Sequence, residues 1–167
     1  MQPNEPRRRF LVAVVGNEMA GDDAFGPCVG RVIADRAIEG VDVVDLSIDP
    51  SRLLEHLSGR EMLILIDAVL SDDHAAGRMV VCPWTLAAAH AIPGLRFSTH
   101  GLSLADQLRL AEQIGLLPPL AWLIGVTVGQ ARVGAGLGDA AAALVAAAAD
   151  KACELIAAHR KLEAAHA

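Results

Sequence analysis

Cysteine is scarce in these 167 residues: Cys28, Cys82 and Cys153 are widely spaced and odd in number. They make neither a disulfide framework nor a C-x-x-C pair, which sets aside stapled secreted scaffolds and dithiol redox proteins and fits a reducing cytoplasm. Long apolar runs are missing as well. Although 53% of the residues are hydrophobic, alanine supplies much of that share, and no stretch approaches the roughly 20 residues of a membrane span; a soluble protein with no membrane partner is expected. Positive charge is short: 14 Lys and Arg against 20 Asp and Glu leave a net charge of -6. A duplex nucleic-acid surface needs clustered cations, and none occur beyond the amino terminus. The cluster there, Arg7-Arg8-Arg9, precedes an apolar run from Phe10 to Val15 that is too short for the h-region of an export signal, so residues 1–8 read as a solvated, flexible tail.

The length fits a single domain spanning residues 1–167, large enough to bury a continuous core. Apolar runs bounded by turns alternate with segments of helical period, the pattern of an α/β fold with a largely parallel sheet. Strands are expected at Phe10–Val15, Val41–Leu46, Met62–Val69, Arg78–Cys82 and Ala121–Val128. Helices are expected at Phe25–Ile38, Ser51–Leu57 and Leu104–Ile114, with a last one running from an N-cap at Asp139 through the alanine-rich segment to His159. Only about eight polar residues separate Met62–Val69 from Arg78–Cys82, too few for a helical crossover. That pair is expected to be a hairpin, giving the sheet one antiparallel strand. No internal repeat is evident.

The turn after the first strand carries the most informative stretch, Gly16-Asn17-Glu18-Met19-Ala20-Gly21-Asp22-Asp23-Ala24-Phe25-Gly26. Gly16 and Gly21 have the spacing of a phosphate-binding loop, but Asp22 stands where Lys would reach a phosphate and Asp23 where a hydroxyl would hold magnesium. Two carboxylates repel a triphosphate and attract a cation, so nucleotide binding is disfavoured. Asp22 is read as a cap for the helix that follows, favoured by its exposed N–H groups and dipole. For Asp23 a cap and a ligand are equally open on this stretch alone.

Two further sites bear on that choice. Asp67 ends the apolar run of the third strand, and His100 precedes the helix from Leu104. A residue finishing a parallel strand faces the crevice beyond the strands' carboxyl ends, where open α/β sheets bind ligands. If the first and third strands are neighbours, Asp23 and Asp67 converge, and the His100 loop can close a third side. Two carboxylates and an imidazole suit a first-row divalent metal.

These blocks, Gly16-Asn17-x4-Asp22-Asp23-Ala24-x-Gly26, then Asp67-Ala68-Val69, then Thr99-His100-Gly101-Leu102-Ser103-Leu104-Ala105-Asp106, resemble the hydrogenase maturation endopeptidases, in order and spacing, from about Phe10 to Ala149. The resemblance implies a three-layer sandwich, a twisted and mostly parallel five-stranded sheet with one antiparallel strand and helices on both faces. It implies an endopeptidase that trims the carboxyl terminus of a nickel-iron hydrogenase large-subunit precursor after nickel insertion, with Asp23, Asp67 and His100 as the nickel-recognising triad. The nickel comes with the substrate, and no organic cofactor is implied. Two departures stand out: Val14 replaces an earlier glycine of the first turn, and Gly129-Gln130-Ala131-Arg132-Val133-Gly134 replaces a segment that in many members carries proline and acidic residues.

Other candidates have plainer readings. Asp72-Asp73-His74 falls in a polar loop; His56, His90, His159 and His166 read as solvated; Cys28 reads as a small hydrophobe on its helix rather than a nucleophile. Ser103 and Asp106 suit a helix N-terminus, since no base is placed to activate the serine. The alternative function is a metal-dependent binding protein or maturation chaperone on the same scaffold that cuts nothing.

Overall fold

The computed structural model describes residues 9–47, 49–71, 77–84, 95–97, 104–128 and 136–166. The chain runs β1 (Phe10–Val15), a 3-10 turn (Gly21–Ala24), α1 (Phe25–Asp35), β2 (Val41–Ser47), a second 3-10 turn (Pro50–Arg52), α2 (Leu53–His56), β3 (Met62–Ser71), β4 (Met79–Pro83), β5 (Leu95–Phe97), α3 (Leu104–Gln113), β6 (Leu120–Val128), α4 (Asp139–Ala142) and α5 (Val145–His166).

The main sheet has the order β2-β1-β3-β6-β4, with β1, β2, β3 and β6 parallel and β4 antiparallel at one edge. The expected five strands and their one antiparallel member are therefore present. A short sixth strand, β5, lies off this path and pairs antiparallel with the end of β3, Val69 opposite Phe97. It was not expected: three residues with an arginine in the middle carry no periodic signal.

β1 is buried at all six positions, as a central strand covered on both faces should be. Alternate residues serve different layers. Phe10, Val12, Val14, Met62, Ile64 and Ile66 pack with Phe25, Val29 and Ile33 of α1 and Ala148, Ala152 and Ile156 of α5. Leu11, Ala13, Leu63, Leu65 and Leu123 pack on the other face with Leu53 of α2 and Leu104, Leu108 and Ala111 of α3. Each fully buried leucine or isoleucine contributes about 1.5–3 kcal/mol, so both faces are held without staples. Alanine on α5 lets that long helix lie close to the sheet and to α1. Among the described residues no helix is long and apolar enough to cross a membrane.

The structure corrects several details. β4 pairs with β6, Val81 opposite Ile124, rather than forming a hairpin with β3, because the β3 edge it would need is already filled by β6. The last helix is interrupted at Ala143 and Leu144 and its second part extends to His166. Its first residue is Asp139, and the N-cap position belongs to Gly138. α1 ends at Asp35, short of Ile38, and the segment from Ser51 to Leu57 divides into a 3-10 turn and a single helical turn.

Candidate functional site

β1 and β3 lie side by side in parallel register, Val14 opposite Ile66, so the chain leaving β1 and the residue after Ile66 meet at the same end of the sheet. Gly16 turns the chain there at φ 137°, a conformation that excludes a side chain, and a Cβ on it would fall 2.0 Å from the Asp23 carbonyl oxygen. Gly26 makes the second close approach: its Cβ would lie 2.2 Å from the Val15 oxygen and 2.9 Å from that of Ile66. Without a side chain there, the first turn of α1 sits directly on the ends of β1 and β3.

This packing buries the turn's second aspartate. Asp23 is 3% exposed, and its Oδ2 accepts the Asn17 N–H at 2.8 Å. The amino end of α1 begins two residues later, where the helix dipole favours a negative charge. Asp67 is 1% exposed, and neither of its oxygens has a hydrogen-bond partner among the described residues. Burial first, and the nearby Asp23 carboxylate second, push the Asp67 carboxyl well above the usual range; the Ala68 N–H opposes the rise weakly. A lone carboxyl left so in a protein interior is costly and is a mark of a functional site.

Opposite Asp67 on β6 stands Gly125, where a Cβ would fall 2.6 Å from the Val69 side chain, so the glycine makes way for Val69. On the other side β1 has ended, and its place along β3 is taken by β5, whose chain runs from Ser71 back to Val69 and so toward Asp67. Beyond β1 and β2 an open cavity of about 470 Å³ is lined by Gly16, Asn17, Glu18, Asp45 and Ser47. The two carboxyls are buried and do not line that cavity, but they offer oxygens with little competing hydrogen bonding, suited to a cation brought from outside.

Asp23 and Asp67 thus share one crevice. His100, the third expected member, lies outside the described residues, as do His90, Ser103, Asp72-Asp73-His74 and the 129–134 segment. Asp22 does not cap its own helix: its Oδ1 accepts the Gly138 N–H at 2.8 Å, from a residue 116 positions away. Cys28 is half-buried and outside both apolar clusters, its Sγ 3.1 Å from the Arg31 guanidinium. Asp106 sits in the first turn of α3 and pairs with Arg109 at 3.2 Å.

His159 is not solvated as expected. Its ring meets Phe10 edge-on at 5.8 Å, and its Nε2 stands 3.6 Å from both Glu61 and Glu163. His56 is half-buried, whereas His166 is exposed. Sequence reasoning passed over Asn17, whose backbone orients Asp23, and Gly125; a solitary glycine inside a strand was the available signal for the latter.

Comparison with known proteins agrees with this architecture. A family model described as hydrogenase maturation protease matches residues 28–158, a span that contains Asp67 and His100 and begins after Asp23. The hydrogenase 2 maturation protease of Escherichia coli (strain K12) is 31% identical over 123 residues, covering 71% of this chain and 72% of that protein. Among solved structures, the nickel-iron hydrogenase maturation protease HybD from Thermococcus kodakarensis superposes with a TM-score of 0.75 at 29% identity, covering 88% of this chain and 98% of that one. The hydrogenase maturating endopeptidase HybD from E. coli gives 0.75 at 27% identity, with 92% and 93% covered.

Proposed function

Because the chain belongs to the hydrogenase maturation protease family, we propose that it is an endopeptidase that removes the carboxyl-terminal peptide of a nickel-iron hydrogenase large-subunit precursor once nickel has been inserted. The observation that carries this reading is the buried, unpartnered Asp67 carboxyl beside Asp23 at the carboxyl end of the central strands. Burial and the neighbouring Asp23 drive Asp67 toward its protonated form, with no cation among the described residues to offset this. A precursor carrying nickel supplies the positive charge that lets both groups ionise, whereas a nickel-free precursor leaves the pair without it and docks poorly. Proteolysis thereby becomes a checkpoint for metal loading.

In this scheme Asp23, Asp67 and His100 complete the coordination of a nickel held by the precursor's own cysteine thiolates. His100 is three residues beyond Phe97 and so within about 11 Å of it by chain geometry alone, and β5 leads toward Asp67. Engagement at the metal positions the scissile peptide, and the open cavity beside Asn17 offers it space. The nickel then polarises the carbonyl or activates the attacking water. The three cysteines are free, which fits a reducing compartment, and we place the reaction in the cytoplasm.

The test is the mass of the large subunit from cells with and without this protein, together with cleavage of nickel-loaded and nickel-free precursor by the purified chain. The expected result is one carboxyl-terminal peptide released, from nickel-loaded precursor only, and lost in Asp23→Ala, Asp67→Ala and His100→Ala. Cleavage that ignores nickel, or that survives any of these substitutions, overturns the corresponding part of the scheme. An unchanged mass with retained binding would leave the non-proteolytic chaperone as the reading.

A further inference from the structure

The turn that presents Asp23 is held at its start by the Ala20 N–H to the Asn17 oxygen at 2.9 Å and the Met19 N–H to Asn17 Oδ1 at 3.0 Å, but its ties weaken toward Asp23. It contains Gly16 and Gly21 at positive φ, its 3-10 segment has no side-chain cap, and the bond from the Asp23 N–H to the Ala20 oxygen is long at 3.3 Å. The turn must nonetheless keep the Asp23 carboxylate beside the buried Asp67 carboxyl. The Asn17 N–H restrains the Asp23 side chain from one direction. From the other direction the restraint falls on the adjacent residue.

Asp22 is half-buried, and its Oδ1 accepts the Gly138 N–H at 2.8 Å. Gly138 is a firm anchor. Its carbonyl accepts the Ala142 N–H at 2.8 Å, and Ala141 of the same short helix is 3% exposed, within the apolar layer against β6 and α1. Leu137 packs on that layer too. Consecutive Cα atoms are fixed about 3.8 Å apart, so pinning Asp22 to Gly138 limits how far Asp23 can retreat from Asp67.

We propose that Asp22 is a positioning residue for Asp23, holding the site turn in place through its hydrogen bond to the Gly138 N–H. The proposal deepens the reading given above and rests on it for the role of Asp23. It also gives the two consecutive aspartates of the motif separate tasks, one facing the crevice and one facing its anchor.

Both ends of the bond can be altered independently. Asp22→Ala removes the acceptor, while Asp22→Asn keeps a side-chain carbonyl oxygen in its place. Gly138→Pro removes the donor at a residue whose φ of -66° already suits proline, and its Cβ, 2.8 Å from Asp22 Oδ1, also pushes that oxygen away, a contact that the double variant with Asp22→Ala lacks. In the full-length, metal-free protein, hydrogen exchange at the Asn17 amide, read by NMR, should speed up about tenfold in Asp22→Ala and in Gly138→Pro, and no further in the double variant. Asp22→Asn should stay within about twofold of the parent. The affinity for nickel ion alone, measured by calorimetry, should fall in the same order.

Unchanged Asn17 exchange in both single variants, whatever happens to their melting temperatures, overturns the proposal and leaves the bond a plain structural tie. Effects that multiply in the double variant overturn it too, since they would not arise from one shared bond. If the exchange pattern holds but the parent protein cleaves no precursor, the positioning role stands and the peptidase reading fails. If the parent cleaves and the exchange pattern is absent, only the positioning role fails.

Discussion

Replacing Asp67 by asparagine keeps the size and shape of the side chain and removes its charge, so it isolates the strain at the centre of the site. The wild-type carboxyl is 1% exposed and unpartnered, and both burial and Asp23 raise its proton affinity. The sign follows from linkage. Below about pH 4, near the unfolded value for an aspartate, the group is neutral in both states and contributes no penalty. As pH rises the unfolded chain gives up this proton while the folded protein retains it, so the wild type loses stability until the raised folded value is passed. Proton retention caps the penalty at pH 7 at about 4 kcal/mol, and the usual cost of a buried polar group without partners is about 1–3 kcal/mol. For a chain of this length each kcal/mol moves the melting temperature by about 2–4 °C. Asp67→Asn is therefore expected to melt roughly 2–12 °C above the metal-free wild type at pH 8, with the gap closing as pH falls toward 4, and to lose processing altogether. Melting followed by circular dichroism from pH 4 to 8 decides the matter. A variant no more stable than wild type at pH 8, or a gap that does not shrink in acid, refutes the reasoning.

Three other substitutions test separate parts of the architecture. Gly26→Ala places a Cβ 2.2 Å from one backbone oxygen and 2.9 Å from another, neither of which can swing aside, so a loss of about 3 kcal/mol or more is expected in urea unfolding. At the opposite end of the sheet, Glu61 is held below its ordinary range chiefly by its hydrogen bond to Arg9. Its contribution is present above the unfolded value and lost as pH falls through the folded one. The pair is about one-third exposed, so Glu61→Gln should cost only about 0.5–1 kcal/mol at pH 7, less in high salt and nothing near pH 2. Cys28→Ser should process precursor at the wild-type rate, because among the described residues the partner of its Sγ is the Arg31 guanidinium and not a base; a large drop in the cleavage rate would reopen a cysteine mechanism.

The central strands were legible because covered parallel strands read as unbroken apolar runs: Phe10–Val15 and the strand beginning at Met62 start where expected. Asp67 was expected to close its strand, but β3 continues past it to Ser71 and stays paired with β6 through Leu70; it is β1 that stops beside Asp67, which is why the residue still lies at the crevice. Strand partners were less legible. The polar loop between β3 and β4 was short enough to suggest a hairpin, but stepping over one intervening strand is only about 10 Å, well within its reach. β5 escaped notice because its pairing depends on the edge of β3 left free where β1 stops, a tertiary fact. Asp22 was misread for a related reason: capping rules are local, and its partner is 116 residues distant. His159 was assigned to solvent because nothing in the helix sequence announces that Phe10 and Glu61 will lie beside it.

The two ends of the sheet also separate two kinds of acidic cluster that composition alone would confuse. Glu61, His159 and Glu163 bring ligand atoms within 4.8 Å of one another and look, by proximity, like a metal site. Arg9, however, already donates to both glutamates, and Phe10 packs against the histidine ring. That cluster is a set of mutually compensated charges joining β1, the start of β3 and α5. At the carboxyl end no described cation offsets Asp67, among the described residues only the Ala68 N–H eases its burial, and weakly, and the facing residue on β6 is a glycine. A fold that elsewhere pairs its charges and fills its core keeps one position at which local rules fail together, and such positions are where function is expected. The missing element there is one positive charge with open coordination. A resident ion would be present whether or not a precursor had been loaded; in the scheme proposed above, an ion delivered by the precursor makes the repair of Asp67 conditional on loading, so the carboxyl that costs stability would also be the means of recognising a nickel-loaded substrate.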